Sequence, residues 1–274
     1  MSISPIVKYA THSFTLPDTC VRLRTMLDDP LSSIEDMAKV MSVDPSLSAK
    51  VLKLANSALF RFPAQVSSVP KALSIIGGEA AYNISMAETA NLAFKSFASD
   101  NINFGEFWHK AILTGLIAKS IVQQKGIRGS ERYFVVGILH HLSELVCATK
   151  LPEKYVEYKS AIAEDTVAMS LQQRFFGFTF AECSGLILKS WNLPESIYEP
   201  LLTIELTGSN LGQFEQAVVY LSAAMAQVKL GREVFDKLEI PRSVTETIGL
   251  NDYEYDIIFE FAQAESTKIA SALN

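Results

Sequence analysis

Histidines are the side chains of this sequence best suited to acid–base or metal chemistry near neutral pH. His140 and His141 are adjacent, whereas His12 and His109 stand alone. Glu144 follows the doublet within one helical turn. On a continuous helix, adjacent side chains point about 100° apart, so a doublet does not face one ion as an i, i+4 pair does. The pattern favours hydrogen-bonded core histidines, with Glu144 available to pair with one of them, over a metal site.

Nucleophilic and phosphate-binding motifs are absent from the sequence. Cys20, Cys147 and Cys183 are too few and too scattered for a disulfide framework or a four-thiolate zinc site, and we expect reduced thiols. The residues around Cys147 and Cys183 supply neither cations nor a helix N-terminus that would activate a thiolate. Gly77-Gly78 lacks the glycine spacing and the Lys-Ser/Thr of a phosphate-binding loop, so we interpret it as a helix-ending turn.

Composition excludes several classes of protein. The 274 residues are 49% hydrophobic and 20% charged, which predicts one large folded domain or two small ones. The net charge of −6 and a pI of about 5.3 mean that the chain has no overall positive electrostatic field to attract phosphate groups, so nucleic-acid binding is disfavoured. No apolar run approaches the roughly 18–20 residues needed to span a bilayer, and we expect a cytoplasmic protein without membrane contact.

The elements that must position these residues are predicted to be helices. Ser32 and Glu35 form a candidate capping box ahead of an apolar helical face, and Asp44-Pro45 predicts the start of the next helix. Ser68 is a candidate cap for a third helix, which Gly77-Gly78 would end. The first two helices, predicted over 34–41 and 45–59, resemble a DNA-reading pair with Lys50, Lys53 and Arg61 at its surface. That interpretation is weak, because three cations are few and residues 1–210 are nearly neutral.

Further helices are predicted over about 106–122 and 131–149, and proline at 152 and 194 predicts two more helix starts. Trp108 and Trp191 are expected to be core anchors. No alternating runs flank a tight turn, so the prediction is an all-α protein. Residues 211–274 hold ten acidic and five basic residues, against 20 and 19 in residues 1–210, so the excess acidity is C-terminal.

Short strings in a fixed order between Leu16 and Leu202 resemble one family. They are Leu16-Pro-Asp, Leu27-Asp-Asp-Pro, Ser32-Ser-Ile-Glu-Asp-Met-Ala, Asp44-Pro-Ser-Leu-Ser, Leu54-Ala-Asn-Ser-Ala-Leu-Phe, Ala72-Leu-Ser-Ile-Ile-Gly, Phe107-Trp108-His109, Gly137-Ile-Leu-His-His-Leu-Ser-Glu-Leu-Val, Phe176-Gly-Phe and Trp191-Asn-Leu-Pro-Glu. Together they resemble the HDOD family of bacterial HD-related output domains. The resemblance implies a multi-helix HDOD fold over residues 1–210, in which an N-terminal helical bundle, about 1–104, packs on an HD-like bundle, about 105–210. Residues 211–274 are predicted to be a helical extension packed on the HD-like bundle.

The resemblance also implies kinship with HD metallophosphohydrolases, in which histidines and aspartates hold metal beside a scissile phosphate. His109 and His140 match histidines of that pattern, but His141 stands where it has an aspartate, a hard oxygen ligand. Phe180 stands where related sequences often carry histidine, and Leu201-Leu-Thr-Ile lacks a histidine doublet. His109, His140, His141 and Glu144 are therefore expected to mark a vestigial site that lines a small-ligand pocket or senses pH.

The resulting hypothesis is a non-catalytic signal-transduction output or scaffold module that contacts an unidentified signalling protein in trans. No catalytic residue, metal or cofactor is expected, and the chain is expected not to be an enzyme. One alternative is a regulator that binds a cyclic nucleotide or another small nucleotide. A second alternative is an atypical metal-dependent phosphohydrolase.

Overall fold

The structure, a computed structural model, describes residues 2–57, 60, 65–162, 168–202, 214–227 and 240–273. Helices are the only regular elements of these residues, which confirms the all-α prediction. The helices are α1 Ser4–Ser13, α2 Asp18–Asp28, α3 Ile34–Ser42, α4 Pro45–Ala55, α5 Val69–Ser96, α6 Phe104–Gln124, α7 Glu131–Leu139, α8 Leu142–Lys150, α9 Pro152–Ser160, α10 Ala168–Phe176, α11 Phe180–Ser190, α12 Glu195–Leu202, α13 Phe214–Gln227, α14 Arg242–Ile248 and α15 Asp252–Leu273.

The chain forms two compact units whose limits differ from the predicted ones at both ends. The first unit comprises Met1–Thr15 and Phe94–Gln263, and the second comprises Leu16–Ala93 and Ala264–Asn274. Side-chain contacts inside each unit explain the difference at the two ends of the chain.

In the first unit, the Thr11 and Ser190 hydroxyl oxygens lie 2.7 Å apart, and the rings of Phe14 and Trp191 lie 5.2 Å apart. These contacts hold α1 against α11. In the second unit, the Asn91 side-chain amide donates a hydrogen bond of 2.7 Å to the Leu273 carbonyl oxygen. The predicted extension is therefore divided: α13 packs against α6 and α7 in the first unit, whereas the end of α15 belongs to the second.

The start of α3 differs from its prediction by one residue. The Ser33 hydroxyl accepts from the Asp36 backbone N–H at 3.1 Å, and Asp36 returns a contact to the Ser33 N–H, so these two residues form the capping box. The predicted cap, Ser32, instead donates its hydroxyl proton to the Asp29 carboxylate. Asp44 caps α4 as predicted, accepting from two backbone N–H groups ahead of the first-turn proline.

Gly77 interrupts α5 at the predicted stop. Its φ of 82° lies in the region that favours glycine, and the helix continues beyond this kink to Ser96. The predicted cap, Ser68, accepts from the Lys71 backbone N–H at 3.4 Å. Asn56 bonds to the backbone of Leu52 and Val66, and the Ser57 hydroxyl donates to the Leu54 carbonyl oxygen, so both side chains bond to nearby backbone.

The helix predicted over about 131–149 is interrupted at the histidine doublet. α7 ends at Leu139, and the His141 backbone, with φ −113° and ψ 17°, leaves helical values before α8 begins. Gly137, one turn before the break, faces Gly115 of α6 so closely that a Cβ on it would lie 2.6 Å from the Gly115 Cα. The two glycines therefore let α6 and α7 approach each other closely one helical turn before the histidine doublet.

The predicted core anchors are confirmed, since Trp108 and Trp191 are both buried. Among the described residues, no single helix is long and apolar enough to cross a membrane. Residues 131–150 and Pro152–Ser160 meet the criteria of length and composition only together, across a bend of 118°.

Candidate functional site

The candidate site lies in the first unit, where the interruption between α7 and α8 places both histidines in the interior. His140 is 2% exposed and His141 is 8% exposed. Their ring centroids lie 3.9 Å apart with planes inclined by 30°, so the rings stack. The predicted divergence of about 100° is wrong because it assumed one continuous helix through both residues.

His140 is held by its own helix. Its Nδ1 lies 2.6 Å from the Gly137 carbonyl oxygen, which can only accept, so Nδ1 carries the proton and Nε2 carries a lone pair. Nε2 is buried and has no hydrogen-bond partner among the described residues. Burial, together with the nearby His141 and Lys110, lowers the pKa of His140 well below its ordinary value, so the ring is neutral at pH 7.

His141 lies between a carboxylate and an aromatic ring. Its Nδ1 is 3.4 Å from Oε2 of Glu144, and its ring meets Phe180 edge to face at a centroid distance of 5.9 Å. Burial lowers the pKa of His141, although the Glu144 carboxylate acts in the opposite direction. The ring is therefore neutral near pH 7 and contacts the carboxylate through an N–H dipole.

Glu144 is the anionic member of the cluster. The Tyr155 hydroxyl donates to Oε1 at 2.8 Å, and His141 contacts Oε2. Burial acts to raise the pKa of Glu144, but the hydrogen bond from His141 and the charges of Lys110 and Lys159 outweigh it, so the pKa lies below its ordinary value. Tyr155 has its pKa raised by burial and by the Glu144 charge, so its hydroxyl remains a donor. Both carboxylate oxygens thus have partners inside the protein.

A second set of hydrogen bonds fixes the surrounding helices. The Ser143 hydroxyl donates to the Phe180 carbonyl oxygen at 2.8 Å, and the Ser143 N–H donates to the Ser184 hydroxyl at 3.0 Å. The Phe180 N–H donates to Gln172 Oε1 at 2.8 Å. These bonds tie α10 and α11 to the start of α8, and they set the Phe180 ring against His141.

The structure brings three of the four predicted site residues together, namely His140, His141 and Glu144. His109 lies half-buried on α6 beside Lys110, whose charge reaches all three. Sequence reasoning missed Tyr155. The sequence does contain a pattern that could have identified it. Tyr155 and Tyr158 are spaced i, i+3 on a helix whose other positions are mostly charged, and that spacing turns both rings inward.

These residues do not fit a divalent metal of the HD type. Among the described residues, no three His, Cys, Asp or Glu side chains are placed so that they could hold an ion. The Nε2 of His140 has the right tautomer for a ligand, but each oxygen of Glu144 already has a partner inside the protein. Phe180, at a position where a histidine was expected to be missing, has a fully buried ring. Residues 203 and 204 of the string Leu201-Leu-Thr-Ile lie outside the described residues.

The other candidate side chains of the sequence, the three cysteines and Lys50, are also not available for chemistry. All three cysteines are unpaired and buried, and burial raises the pKa of Cys20 to about 11 and that of Cys183 to about 12, so neither is a ready thiolate. Lys50, one of the few cations of the helix pair that resembles a DNA reader, is ion-paired with Glu88 in the second unit.

Comparisons with a family model and with a curated protein show what the chain is similar to. The family model for the HDOD domain matches residues 14–205. An uncharacterized protein of Treponema pallidum (strain Nichols) is 23% identical over 185 residues, which are 66% of this chain and 35% of that protein. The chain thus spans about a third of the length of the curated relative it matches.

Two solved structures show the same fold at low identity. One is a protein of Shewanella amazonensis SB2B that is named provisionally as a phosphohydrolase; it has 18% identity and a TM-score of 0.72, and the match covers 98% of each chain. The other is a protein of Marinobacter aquaeolei VT8 that is named provisionally as a signal transduction protein. It has 17% identity and a TM-score of 0.71, and the match covers 95% of this chain and 59% of that one.

Proposed function

This chain belongs to the HDOD domain family, and from that premise we propose that it is a non-catalytic signalling module that acts by contacting a protein partner in trans. The observation that carries the proposal is the internal pairing of Glu144. A carboxylate that already accepts from Tyr155 and His141 would have to lose buried contacts before it could bind a cation.

Two further features support the proposal. The histidine pair is neutral and stacked, so it supplies no general acid near pH 7. The Phe180 ring meets His141 edge to face, at a position where related sequences often carry histidine. The provisional name of the Marinobacter structure points to signal transduction, whereas that of the Shewanella structure points to the phosphohydrolase alternative.

Metal content and turnover of the purified protein test the proposal directly. We expect no stoichiometric transition metal and no metal-dependent hydrolysis of phosphomonoesters or cyclic dinucleotides. Phosphodiester hydrolysis of the HD type requires a metal that stabilises charge in the transition state and keeps a position open for water. Near-stoichiometric metal together with turnover, both lost in His140→Ala, would overturn the proposal in favour of the phosphohydrolase.

A thermal-shift measurement separates the nucleotide-binding alternative from both others. A ligand that binds only the folded state raises the melting temperature by mass action. A rise with a nucleotide that persists in chelator would favour the nucleotide-binding regulator. A rise that requires metal would favour the hydrolase, because metal and substrate would then share one site. No rise with either agrees with the proposal.

A further inference from the structure

The outer face of α15 carries apolar side chains that the described residues of the first unit leave at least partly exposed. Tyr253 is 72% exposed and Ile257 is 39% exposed, and Phe261 is half-buried at the next i, i+4 position. We call these three residues the outer stripe. On a helix they line one face over about 12 Å, at 1.5 Å per residue.

The opposite face of the same helix explains why the stripe points outward. Ile258 and Ala262 are buried, and burial raises the pKa of Tyr255, so this side packs against the protein. Residues that lie three or four positions apart share a face, and Tyr253 and Ile257 point about 100° or more away from the side through which Ile258 and Ala262 pack. The exposure of the stripe is therefore fixed by the packing of the helix and not by a loose side-chain position.

Acidic residues border the outer stripe. Asp252, Asp256 and Glu260 are all exposed, and they fall at the helical positions that flank Tyr253 and Ile257. From Asp252 onward the sequence has no lysine or arginine before Lys268. The face is thus apolar along its centre and negative along the side that carries these three carboxylates, within the segment of the chain that carries the excess of acidic residues.

We propose that the outer stripe of α15 is a docking surface for a basic amphipathic helix of a partner protein. The inference rests on the proposed function, since it names the chemistry of the partner that a signalling module in trans would contact. Tyrosine is enriched among residues that carry binding energy at interfaces, and exposed aromatic and aliphatic residues at i, i+4 spacing suit helix recognition. Lysine or arginine beside the partner's apolar residues would meet the acidic border and steer association.

The probe for this surface is a synthetic peptide of about 18 residues, or five helical turns, built only of leucine and lysine. Leucine occupies i, i+3, i+4 and i+7 positions, and lysine fills the rest. A matched peptide carries glutamate in place of every lysine. Fluorescence anisotropy of each labelled peptide is measured against the full chain at low and at high salt. We expect the lysine peptide to bind at least about tenfold tighter than the glutamate peptide, with the difference shrinking as salt screens the charges.

Variants of the chain locate the binding on α15. Tyr253→Ser and Ile257→Ser are each expected to weaken binding of the lysine peptide about fivefold or more, because they remove central apolar contacts. Glu260→Lys is expected to weaken it by a similar factor, because it places a like charge at the border.

Two exposed residues of the second unit supply matched controls. Leu31→Ser removes an apolar side chain that is 91% exposed, and Glu35→Lys makes the same charge reversal on an exposed helical position. Both are expected to leave peptide affinity within about twofold. Circular dichroism confirms that each variant is folded.

Equal affinity for the two peptides would overturn the docking surface. Equal losses in Glu260→Lys and Glu35→Lys would also overturn it, because attraction would then follow net charge and not this face. The metal and turnover measurements test the proposed function separately. If the protein has no turnover and binds both peptides equally, only the docking surface is rejected. If the protein has turnover that requires His140, the non-catalytic role is rejected.

Discussion

The histidine cluster and the outer stripe of α15 belong to the same unit and use their residues in opposite ways. The cluster contains the histidines and the carboxylate expected to do chemistry, yet they are buried, and most of their polar atoms contact other groups of the protein. The stripe contains no acid–base or metal-binding group, yet it is exposed. Residue type alone therefore does not locate function, because burial and hydrogen-bond partners decide whether a side chain is available to anything outside the fold.

The largest expected effect lies in the cluster. Phe180 is fully buried against His141, so Phe180→Ala should lower the free energy of unfolding by about 3–5 kcal/mol through lost burial and a cavity. Urea denaturation measures the change. Leu31→Ala, at a side chain 91% exposed, is the control and should change stability by less than about 0.5 kcal/mol. A loss below about 1 kcal/mol for Phe180→Ala would contradict its place in the core.

The next effect tests the internal pairing of Glu144. Tyr155→Phe removes the hydroxyl that donates to Oε1 and leaves a buried charged acceptor without that bond, so we expect a loss of about 1.5–3 kcal/mol in the free energy of unfolding. Tyr253→Phe removes a hydroxyl from the exposed stripe and should stay within about 0.5 kcal/mol. Equal effects of the two substitutions in chemical denaturation would show that the carboxylate has other donors.

Acidification should destabilise the cluster. Burial holds the pKa of His140 and of His141 below the ordinary value of 6.5 in the folded state, so the unfolded chain takes up protons first as the pH falls. Stability is therefore complete above about pH 6.5 and is lost below it, by up to about 1.4 kcal/mol per pH unit for each proton.

The melting temperature between about pH 7.5 and pH 5.5 measures this slope. His140→Gln should flatten it, whereas His12→Gln, at an exposed histidine, should leave it unchanged. A steeper or unchanged slope in His140→Gln would mean that other groups govern the acid response. Glu144, whose pKa is lowered, contributes in the same direction only at lower pH, below its ordinary value of 4.5.

The smallest expected effect is on the outer stripe. Ile257→Ser should alter the free energy of unfolding by no more than about 1 kcal/mol, because the side chain, 39% exposed, is already partly in contact with water. Its neighbour Ile258 is buried, and Ile258→Ser should cost at least about 2 kcal/mol. If thermal denaturation showed equal losses for the two, Ile257 would be a core residue and the stripe would not be a free surface.

Local sequence patterns predicted that a helix is present better than they predicted the residue at which it starts. The string Leu31-Ser-Ser-Ile-Glu-Asp offers two candidate boxes, Ser32 with Glu35 and Ser33 with Asp36. Both satisfy the capping pattern, and the structure uses the second. The Asp29 carboxylate binds the Ser32 hydroxyl, and this contact removes the competing serine from the helix end. No spacing rule in the sequence contains that choice.

The histidine doublet also has features that the sequence predicted and features that only the structure shows. Its apolar neighbours predicted burial, and Glu144 was expected to pair with one histidine, which the structure shows to be His141. The stacking of the rings depends on the interruption between α7 and α8, and the only local signs of that break are the histidines themselves. Tyr155 reaches Glu144 from another helix, so its role follows from helix packing.

The sequence by itself determined the helical class, the starts of several helices and the family, because these depend on residues within a few positions of one another and on short strings in a fixed order. Only the tertiary structure decided which polar atoms face each other and which helix face stays exposed. The contacts of Ser143 with Ser184, of Tyr155 with Glu144 and of Asn91 with Leu273 join different helices. Such contacts form where packing of apolar faces brings helices together, and that packing depends on the whole chain.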